Sequence, residues 1–233
     1  MDVDLQREPI ATKGISVVIT ATKDVPGLAE LLEHLSRVLS ALKRPCEVLL
    51  VEESGRAFAS SDVVAWKSRC PELSVLPCET PSGEGGATRA GLVAVSQPLV
   101  FMLPANSGVT PDVLPRFLER IDSADLVAGV RKGTTRWQRF RQGGSGWWLF
   151  GVHLQDIACP VRLYRRTVLG RWPLQSQGPF IHEEIVAKLN FCGALMAEVE
   201  IDGAADRGVT GDRSAWRDLR RLFFRPVFLP PGA

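Results

Sequence analysis

Short apolar runs alternate with longer amphipathic stretches along the first 130 residues of the chain. The run at 15–20 is apolar and β-branched, as central strands are, and the leucines from Leu28 to Leu42 recur at helical spacing. Similar runs, each followed by polar residues or glycine, predict strands at 47–51, 73–76, 99–103 and 125–130. This alternation of strand and helix favours a Rossmann-like α/β fold, a mostly parallel sheet flanked by helices in a single domain.

The second half of the chain is less regular than the first. A stretch rich in Trp, Arg and Gly is followed by two more strand patterns and one helix pattern. In chain order these are 134–151 (the Trp/Arg/Gly stretch), 161–164 (strand), 182–190 (helix) and 196–201 (strand). The strict alternation of strand and helix therefore ends near residue 130.

Both ends of the chain differ from its middle. Residues 1–13 form a polar lead without the apolar core of a signal peptide, and residues 222–231 are apolar and interrupted by prolines. We expect the latter segment to dock on the domain, on a partner or on a membrane surface. The pattern divides the chain into this lead, a domain at 14–213 and a basic, apolar C-terminal tail at 214–233.

Composition excludes several classes of protein. The chain has 233 residues, 45% of them apolar, which is enough for one well-buried domain. Its formal net charge of +2 argues against a nucleic-acid partner. The five cysteines have no CxxC spacing, which predicts free thiols in a reducing compartment rather than a zinc site or disulfides. No apolar stretch reaches the roughly 18–20 residues of a spanning helix, so we expect a cytoplasmic protein, at most peripheral to a membrane.

Six segments occur in an order and spacing that one enzyme family shares. They are Ile-Thr-Ala-Thr-Lys-Asp at 19–24, Leu-Val-Glu-Glu-Ser-Gly at 50–55, Gly-Glu-Gly-Gly-Ala-Thr-Arg-Ala-Gly-Leu at 83–92, Phe-Met-Leu-Pro-Ala-Asn at 101–106, Val-Ala-Gly-Val-Arg at 127–131 and Asp-Ile-Ala-Cys-Pro-Val-Arg at 156–162. The chain thereby resembles the family-2 glycosyltransferases of GT-A fold, and among them the dolichyl- and polyprenyl-phosphate sugar synthases. The resemblance implies an inverting transfer of sugar from a UDP- or GDP-sugar to an acceptor, either a lipid phosphate such as polyprenyl phosphate or a glycan.

Polar loops follow four of the predicted strands, and ligands of open parallel sheets bind beyond such strand ends. The resemblance implies that these loops hold the nucleotide-sugar donor. The implied donor-binding residues are Ala21, Lys23, Asp24, Glu52, Glu53, Asn106 and Arg131. Glu stands at 52 and 53 where the family prefers Asp, but it keeps the charge and can still accept hydrogen bonds from a base or ribose. The alternative is that these acidic residues are merely solvated.

The segment after the fourth strand departs from the family. The family usually has Asp-x-Asp there, and its carboxylates hold a divalent metal on the diphosphate, whereas this chain has Pro104-Ala105-Asn106. Pro104 has no side-chain ligand and Asn106 offers one neutral oxygen, while Mg²⁺ and Mn²⁺ prefer carboxylates. A metal stabilises the leaving diphosphate, so this degenerate motif weighs against a bound Mg²⁺ or Mn²⁺ and against catalytic activity.

Two outcomes are open for a chain with this motif. Arginines, which bind phosphates through two nitrogens at once, can replace the metal, or catalysis is lost and only binding survives. The resemblance implies phosphate or acceptor contacts for Arg139, Arg141, Arg162, Arg207 and Arg213. The simpler interpretation is a solvated basic face.

A carboxylate near the acceptor completes the implied chemistry. Glu183 and Glu184 open a predicted helix in the segment where the family has an acidic residue. Either can act as general base toward a hydroxyl acceptor, whereas a lipid phosphate needs no base. The alternative is that both stabilise the first turn of the helix through its dipole.

Three hypotheses for the function follow. The first is a glycosyltransferase, and the second is a catalytically inactive pseudoenzyme that binds a nucleotide or a glycan. The third is a protein-interaction module that uses Trp137, Trp147 and Trp148 together with the apolar tail.

Overall fold

Seven strands form one sheet in the structure, a computed structural model that describes residues 12–22, 24–76, 83–132, 150–169, 172–203 and 213–228. The strands are β1 (Ile15–Ala21), β2 (Cys46–Glu52), β3 (Leu73–Leu76), β4 (Leu99–Met102), β5 (Leu126–Arg131), β6 (Arg162–Arg165) and β7 (Met196–Ile201). Their order across the sheet is β3-β2-β1-β4-β6-β5-β7. Strand β6 is antiparallel to both of its neighbours, and the remaining pairs are parallel.

Helices cover both faces of this sheet. They are α1 (Leu28–Ala41), α2 (Ser60–Arg69), α3 (Gly83–Ala94), α4 (Leu114–Ile121), α5 (Ile181–Phe191) and α6 (Arg213–Phe224). Short 3-10 turns lie at Ala105–Ser107, Pro111–Val113 and Arg166–Val168. Within the described ranges, no helix combines the length and the apolar character needed to cross a bilayer.

Alternate residues of the central strands enter two separate hydrophobic cores. Val17 and Ile19 of β1 pack in one core with α1 and α4, whereas Val18 packs in the other with α3 and α5. The two-residue period of a strand produces this division. Because both faces of the sheet are covered, β4 is buried and apolar at every position, which explains why it stands out in the sequence as a continuous apolar run.

One edge of the sheet collects the ends of five strands. The parallel strands β1, β2, β4 and β5 all finish there, and the antiparallel β6 begins there, since Arg162 pairs with Met102 of β4 and Ala128 of β5. Strand order reverses at β1, which lies between β2 and β4. Open α/β sheets bind ligands at such a switch point.

Helix α6 lies in a segment where the sequence pattern predicts only a tail. Leu222 of α6 enters the core that contains α3 and α5, Leu219 packs against that core, and Asp218 is buried. These three positions share one helical face. The arginines and aromatic residues around these positions interrupt the helical apolar pattern, so the sequence pattern does not predict the helix.

Candidate functional site

The loops after β1 and β2 touch at the sheet edge. Ala21 ends β1 and is buried, and its carbonyl accepts a hydrogen bond from the Glu53 N–H at 3.0 Å. Asp24 is exposed in the loop after β1, and Lys23 lies outside the described residues. The edge therefore brings Ala21, Asp24, Glu52 and Glu53 into one region, and their role in donor binding stays a prediction.

The two acidic residues at the end of β2 have different environments. Glu52 is buried, and its carboxylate accepts hydrogen bonds from the Ser54 and Arg56 N–H groups, both at 2.9 Å, and from the Ser54 hydroxyl. A buried carboxylate needs such donors, and here they fix the loop that follows the strand. Glu53 is only half-buried. The more accessible carboxylate of the pair is therefore that of Glu53.

The loop after β4 presents no carboxylate at the edge. Pro104 is buried, and Asn106 is exposed in the 3-10 turn Ala105–Ser107. Ser107 closes this turn, since its N–H donates to the Pro104 carbonyl at 3.0 Å and its hydroxyl accepts from the Val109 N–H at 3.3 Å. Across the described parts of the chain, no three or more His, Cys, Asp or Glu side chains are grouped so that they could hold a metal ion. The loop at Pro104 and Asn106 therefore lacks the carboxylate ligands that Mg²⁺ and Mn²⁺ prefer.

Six titratable side chains are buried together behind the edge. This buried charged cluster consists of Glu84, Arg131, Asp156, Arg162, His182 and Glu183. Each of them is at most 9% exposed, although residues of these types are normally at the surface. The cluster joins the end of β5 and the start of β6 to the first turns of α3 and α5.

Arg131 and Asp156 form a buried ion pair within the cluster. The Arg131 Nε donates to Asp156 Oδ2 at 2.6 Å and Nη2 donates to Oδ1 at 2.8 Å, so the two groups meet side by side. Both side chains are buried, which makes the pair costly to break from one side. A donor phosphate that approaches Arg131 has to compete with this carboxylate.

Arg162 is fully buried, and its guanidinium contacts main-chain carbonyls. Nη1 donates to the His182 carbonyl and Nη2 donates to the Ile157 carbonyl. These bonds tie the start of β6 to the start of α5. A phosphate contact of Arg162, which the resemblance implies, would replace at least one of these bonds, and that role stays a prediction.

Glu183 is the carboxylate of the cluster with a strongly perturbed pKa. Burial raises its pKa to about 8, the nearby Arg162 guanidinium opposes this shift, and the carboxyls of Asp156 and Glu84 add to it. Its Oε2 has no hydrogen-bond partner among the residues that the structure describes. A buried carboxyl group that titrates near neutral pH is typical of functional sites.

Glu184, the neighbouring residue, has a different environment. Its carboxylate accepts hydrogen bonds from the Gln175 N–H at 2.8 Å, the Ser176 N–H at 2.7 Å and the Lys188 ammonium at 2.6 Å. Lys188 also donates to the Pro173 carbonyl at 2.6 Å. Glu184 therefore fixes the segment before α5, and of the two predicted bases Glu183 has the carboxylate that is not used in this way.

The glycine-rich start of α3 packs against that same segment. The Gly85 N–H donates to the Gln177 carbonyl at 3.0 Å, and a Cβ atom at Gly85 would lie 2.5 Å from the Ser176 carbonyl oxygen. Glu84 Oε1 lies 2.9 Å from His182 Nε2 and is hydrogen-bonded to it, and this contact links α3 to α5. Glycine is needed here because two main chains approach closely.

Several predicted site residues lie where the structure describes no side chain. Six of them lie outside the described residues: Trp137, Arg139, Arg141, Trp147, Trp148 and Arg207. Arg213 begins α6, but its side chain is not among those described. The sequence pattern missed Glu84, Asp156 and His182 as members of a site. Asp156 had a usable signal, because it opens the 156–162 segment that ends in Arg162.

The seven-stranded, mostly parallel sheet flanked by helices has the fold of the GT-A glycosyltransferases. The structure matches glucosyl-3-phosphoglycerate synthase of Mycobacterium tuberculosis with a TM-score of 0.68 and 16% identity, over 95% of this chain and 83% of that chain. The same enzyme in complex with Mg²⁺ and uridine diphosphate gives a TM-score of 0.66 and 16% identity, over 96% and 82% of the two chains. The prediction of a mostly parallel GT-A-like sheet is confirmed.

Sequence comparison finds sugar transferases. An undecaprenyl-phosphate 4-deoxy-4-formamido-L-arabinose transferase of Salmonella choleraesuis is 24% identical over 167 residues, which are 67% of this chain and 50% of that protein. Its counterpart in Pseudomonas paraeruginosa is 26% identical over 163 residues, 66% and 48% of the two proteins. The uncharacterized glycosyltransferase YwdF of Bacillus subtilis is 31% identical over 115 residues, 48% and 40% of the two proteins.

These matches limit what the similarity shows. The chain spans about half the length of the curated relatives that it matches, or less. No family model matches the chain. The chain is therefore glycosyltransferase-like in fold and sequence, and its activity and substrates are matters for proposal.

Proposed function

We propose that the chain transfers a sugar from a nucleotide-sugar to a phosphate or hydroxyl acceptor. The observation that carries this proposal is the match of nearly the whole chain to an enzyme whose structure was determined with uridine diphosphate. The names of two sequence relatives support a polyprenyl phosphate as the acceptor, because both are undecaprenyl-phosphate sugar transferases. A glycan hydroxyl is the alternative acceptor.

The reaction needs a donor site at the sheet edge. In the proposed complex Ala21, Asp24 and Glu53 contact the nucleoside, and Asn106 lies at the diphosphate. Glu52 supports this arrangement by fixing its own loop. Further positive charge for the diphosphate comes from Lys23, Arg139, Arg141, Arg207 and Arg213. Arg131 and Arg162 act mainly through the buried charged cluster, since both already have partners.

The chemistry at the anomeric carbon requires few protein groups. An acceptor oxygen attacks this carbon, and the bond to the diphosphate oxygen breaks, so the nucleoside diphosphate leaves with the electron pair. A hydroxyl acceptor must also lose its proton, and we assign this proton to the carboxylate of Glu183. A base whose pKa of about 8 lies near the working pH is suited to this transfer. A phosphate acceptor attacks without a base.

A divalent metal is not required by this proposal. The structural neighbours include complexes with Mg²⁺ or Mn²⁺ together with uridine diphosphate. In this chain Pro104 and Asn106 do not provide a matching donor set. We therefore expect calorimetry to give the same affinity for UDP or GDP with Mn²⁺ as with a chelator. An affinity more than about tenfold higher with Mn²⁺ would contradict the idea that arginines replace the metal.

The deciding experiment measures binding and transfer on the same preparation. UDP, GDP and their sugars are titrated first, and labelled donors are then incubated with undecaprenyl phosphate in detergent or with soluble glycans. Asp24→Asn should weaken donor binding, whereas the matched change Asp62→Asn on the exposed surface of α2 should not. If no nucleotide binds at millimolar concentration, the proposed function is wrong.

A second candidate is a pseudoenzyme that binds a nucleotide without transferring sugar. The replacement of carboxylates by Pro104 and Asn106 specifically favours it, because a metal normally stabilises the leaving diphosphate. Donor binding without transfer or donor hydrolysis, for every acceptor tested, would select this candidate over the first.

A further inference from the structure

Helix α6 presents large aromatic side chains to solvent. Trp216 is 66% exposed, Phe223 is 45% exposed and Phe224 is 71% exposed. Folded proteins expose single apolar residues often, but a group of aromatic residues on one helix marks a contact surface. Val227, just after the helix, is exposed as well.

The exposed charges of this helix have a single sign. Arg217, Arg220, Arg221 and Arg225 are all exposed. Between them Asp218 is the one acidic residue, and it is buried, where its carboxylate accepts a hydrogen bond from the Gln177 N–H at 3.2 Å. We call the exposed aromatic and basic residues the α6 surface: Trp216, Arg217, Arg220, Arg221, Phe223, Phe224 and Arg225.

Helical spacing interleaves these residues. Trp216, Arg220 and Phe224 follow each other at intervals of four and therefore form one stripe along the helix. Arg217 and Phe223 lie on either side of that stripe at about 100° per residue. A mixture of aromatic rings and arginines on one helical face is typical of helices that lie in the headgroup region of a bilayer.

The other face of α6 is packed on the domain. Leu222 is buried in the core, the Gln175 side chain donates to the Arg225 carbonyl at 3.3 Å, and the Val227 N–H donates to the Gln175 side chain at 2.9 Å. The α6 surface is therefore what remains exposed after the helix has docked on the domain.

We propose that the α6 surface binds one face of an anionic lipid bilayer. Trp216, Phe223 and Phe224 insert between the headgroups and the acyl chains, and the arginines contact lipid phosphates. The charge of the surface supports this occupant over a second copy of the chain. In a two-fold dimer the same patch faces itself, so the arginines would oppose each other.

The position of α6 connects this contact to the candidate site. The helix packs on residues 175–177, and Glu184 of α5 holds Gln175 and Ser176 through hydrogen bonds to their N–H groups. Lipid binding would thus place the α5 side of the site near the bilayer, where a lipid-linked acceptor resides. This consequence rests on the proposed function, whereas lipid binding itself does not.

Vesicle co-sedimentation of the whole chain tests the proposal. The vesicles contain phosphatidylcholine alone or phosphatidylcholine with 30% phosphatidylglycerol, at low and high NaCl. We expect at least about tenfold stronger partition to the anionic vesicles, reduced by salt, because each basic residue near such a surface contributes about fivefold to the partition constant. Trp216→Ser with Phe224→Ser should lower partition about tenfold or more. Arg217→Glu with Arg220→Glu should abolish the preference for anionic lipid.

Matched variants control for charge and apolar area. Arg116→Glu changes an exposed arginine of α4, and Val64→Ser with Val93→Ser removes exposed apolar side chains of α2 and α3, so both should pellet like the parent chain. Circular dichroism verifies that each variant is folded. Nucleotide titration of the same variants separates failure of lipid binding from failure of the proposed function.

Several results would overturn the proposal. One is equal pelleting of the parent chain and the α6 variants. Another is no pelleting with anionic vesicles at low salt. A third is sedimentation velocity that shows a dimer which Trp216→Ser dissociates, because the surface would then be an interface between copies of the chain.

Discussion

Two adjacent glutamates should respond in opposite directions to the same substitution. Glu183 is buried with a carboxylate oxygen that has no hydrogen-bond partner among the described residues, and burial raises its pKa to about 8. Glu184 is equally buried but accepts three hydrogen bonds, one of them from Lys188. The change of each residue to glutamine removes its titratable group with little change of shape, so the pair isolates the effect of environment.

The sign for Glu183 follows from proton linkage. Its ordinary pKa is 4.5, so between pH 4.5 and about 8 the folded chain keeps a proton that the unfolded chain has lost. The stability contributed by this proton is complete below pH 4.5 and is lost at ~1.4 kcal/mol per pH unit as the pH rises toward 8. By pH 7 the loss amounts to about 3 kcal/mol. Glutamine does not titrate, so Glu183→Gln should gain up to about 3 kcal/mol at pH 7 and little at pH 4.5.

Glu184→Gln should destabilise the protein. The substitution leaves the buried Lys188 ammonium without its carboxylate and weakens two bonds to main-chain N–H groups. Breaking one side of a buried ion pair costs roughly 3–5 kcal/mol. The two variants should therefore differ in stability by more than either differs from the parent chain.

Urea denaturation from pH 5 to pH 8.5, followed by circular dichroism, measures both effects. The parent chain should lose stability across this range with a steeper slope than Glu183→Gln. If Glu183→Gln retains the slope of the parent chain, or if it is less stable than the parent at pH 7.5, the carboxyl of Glu183 is not protonated in the folded state. The proposed role as a base near pH 8 would then lose its support.

Three further outcomes test the structure at other points. Arg131→Ala should destabilise the chain by roughly 3–5 kcal/mol, because it leaves the buried Asp156 carboxylate without its partner. In a thermal melt the double change Arg131→Met with Asp156→Leu should recover most of that stability, and a double variant as unstable as Arg131→Ala would contradict the buried pair. An iodoacetamide label at pH 8 should modify the exposed Cys192 much faster than Cys159, because burial raises the pKa of the Cys159 thiol to about 12, and comparable rates would show that this part of the core opens. Gly85→Ala should lower the melting temperature although alanine favours helices, because the added methyl group would lie 2.5 Å from the Ser176 carbonyl oxygen. A higher melting temperature would show that the segment around Ser176 moves away easily.

The strands of this fold were largely predictable because each has a distinct local signal. The predicted bounds 73–76 and 196–201 coincide with β3 and β7, and the apolar run at 99–103 exceeds β4 by one residue. Buried strands bounded by polar residues need no tertiary information to be recognised. Helix α6 was not predictable in this way, because exposed arginines and aromatic residues surround its packed residues Asp218, Leu219 and Leu222 in the sequence.

The candidate site was predictable as a region but not residue by residue. Loops at the C-terminal ends of parallel strands must share an edge, which is why Ala21, Glu53 and Arg131 could be assigned to one region. The sequence could not separate Glu183 from Glu184, because their difference depends on which face of α5 meets residues 175 and 176. Arg162 was equally ambiguous. Its guanidinium donates to the carbonyls of Ile157 and His182, and only the folded chain brings those two carbonyls to the same side chain.

The segment at 172–180 connects three helices through its main chain and its side chains together. Its main-chain groups meet Gly85, Glu184 and Asp218, while Phe180 is buried in the core with α3 and α5. Main-chain groups are the same whatever the side chain, so a substitution at the exposed Gln177 leaves the bonds of its own N–H and carbonyl in place. A search for altered acceptor preference can therefore begin at Gln177, whereas a change at Phe180 would disturb the core.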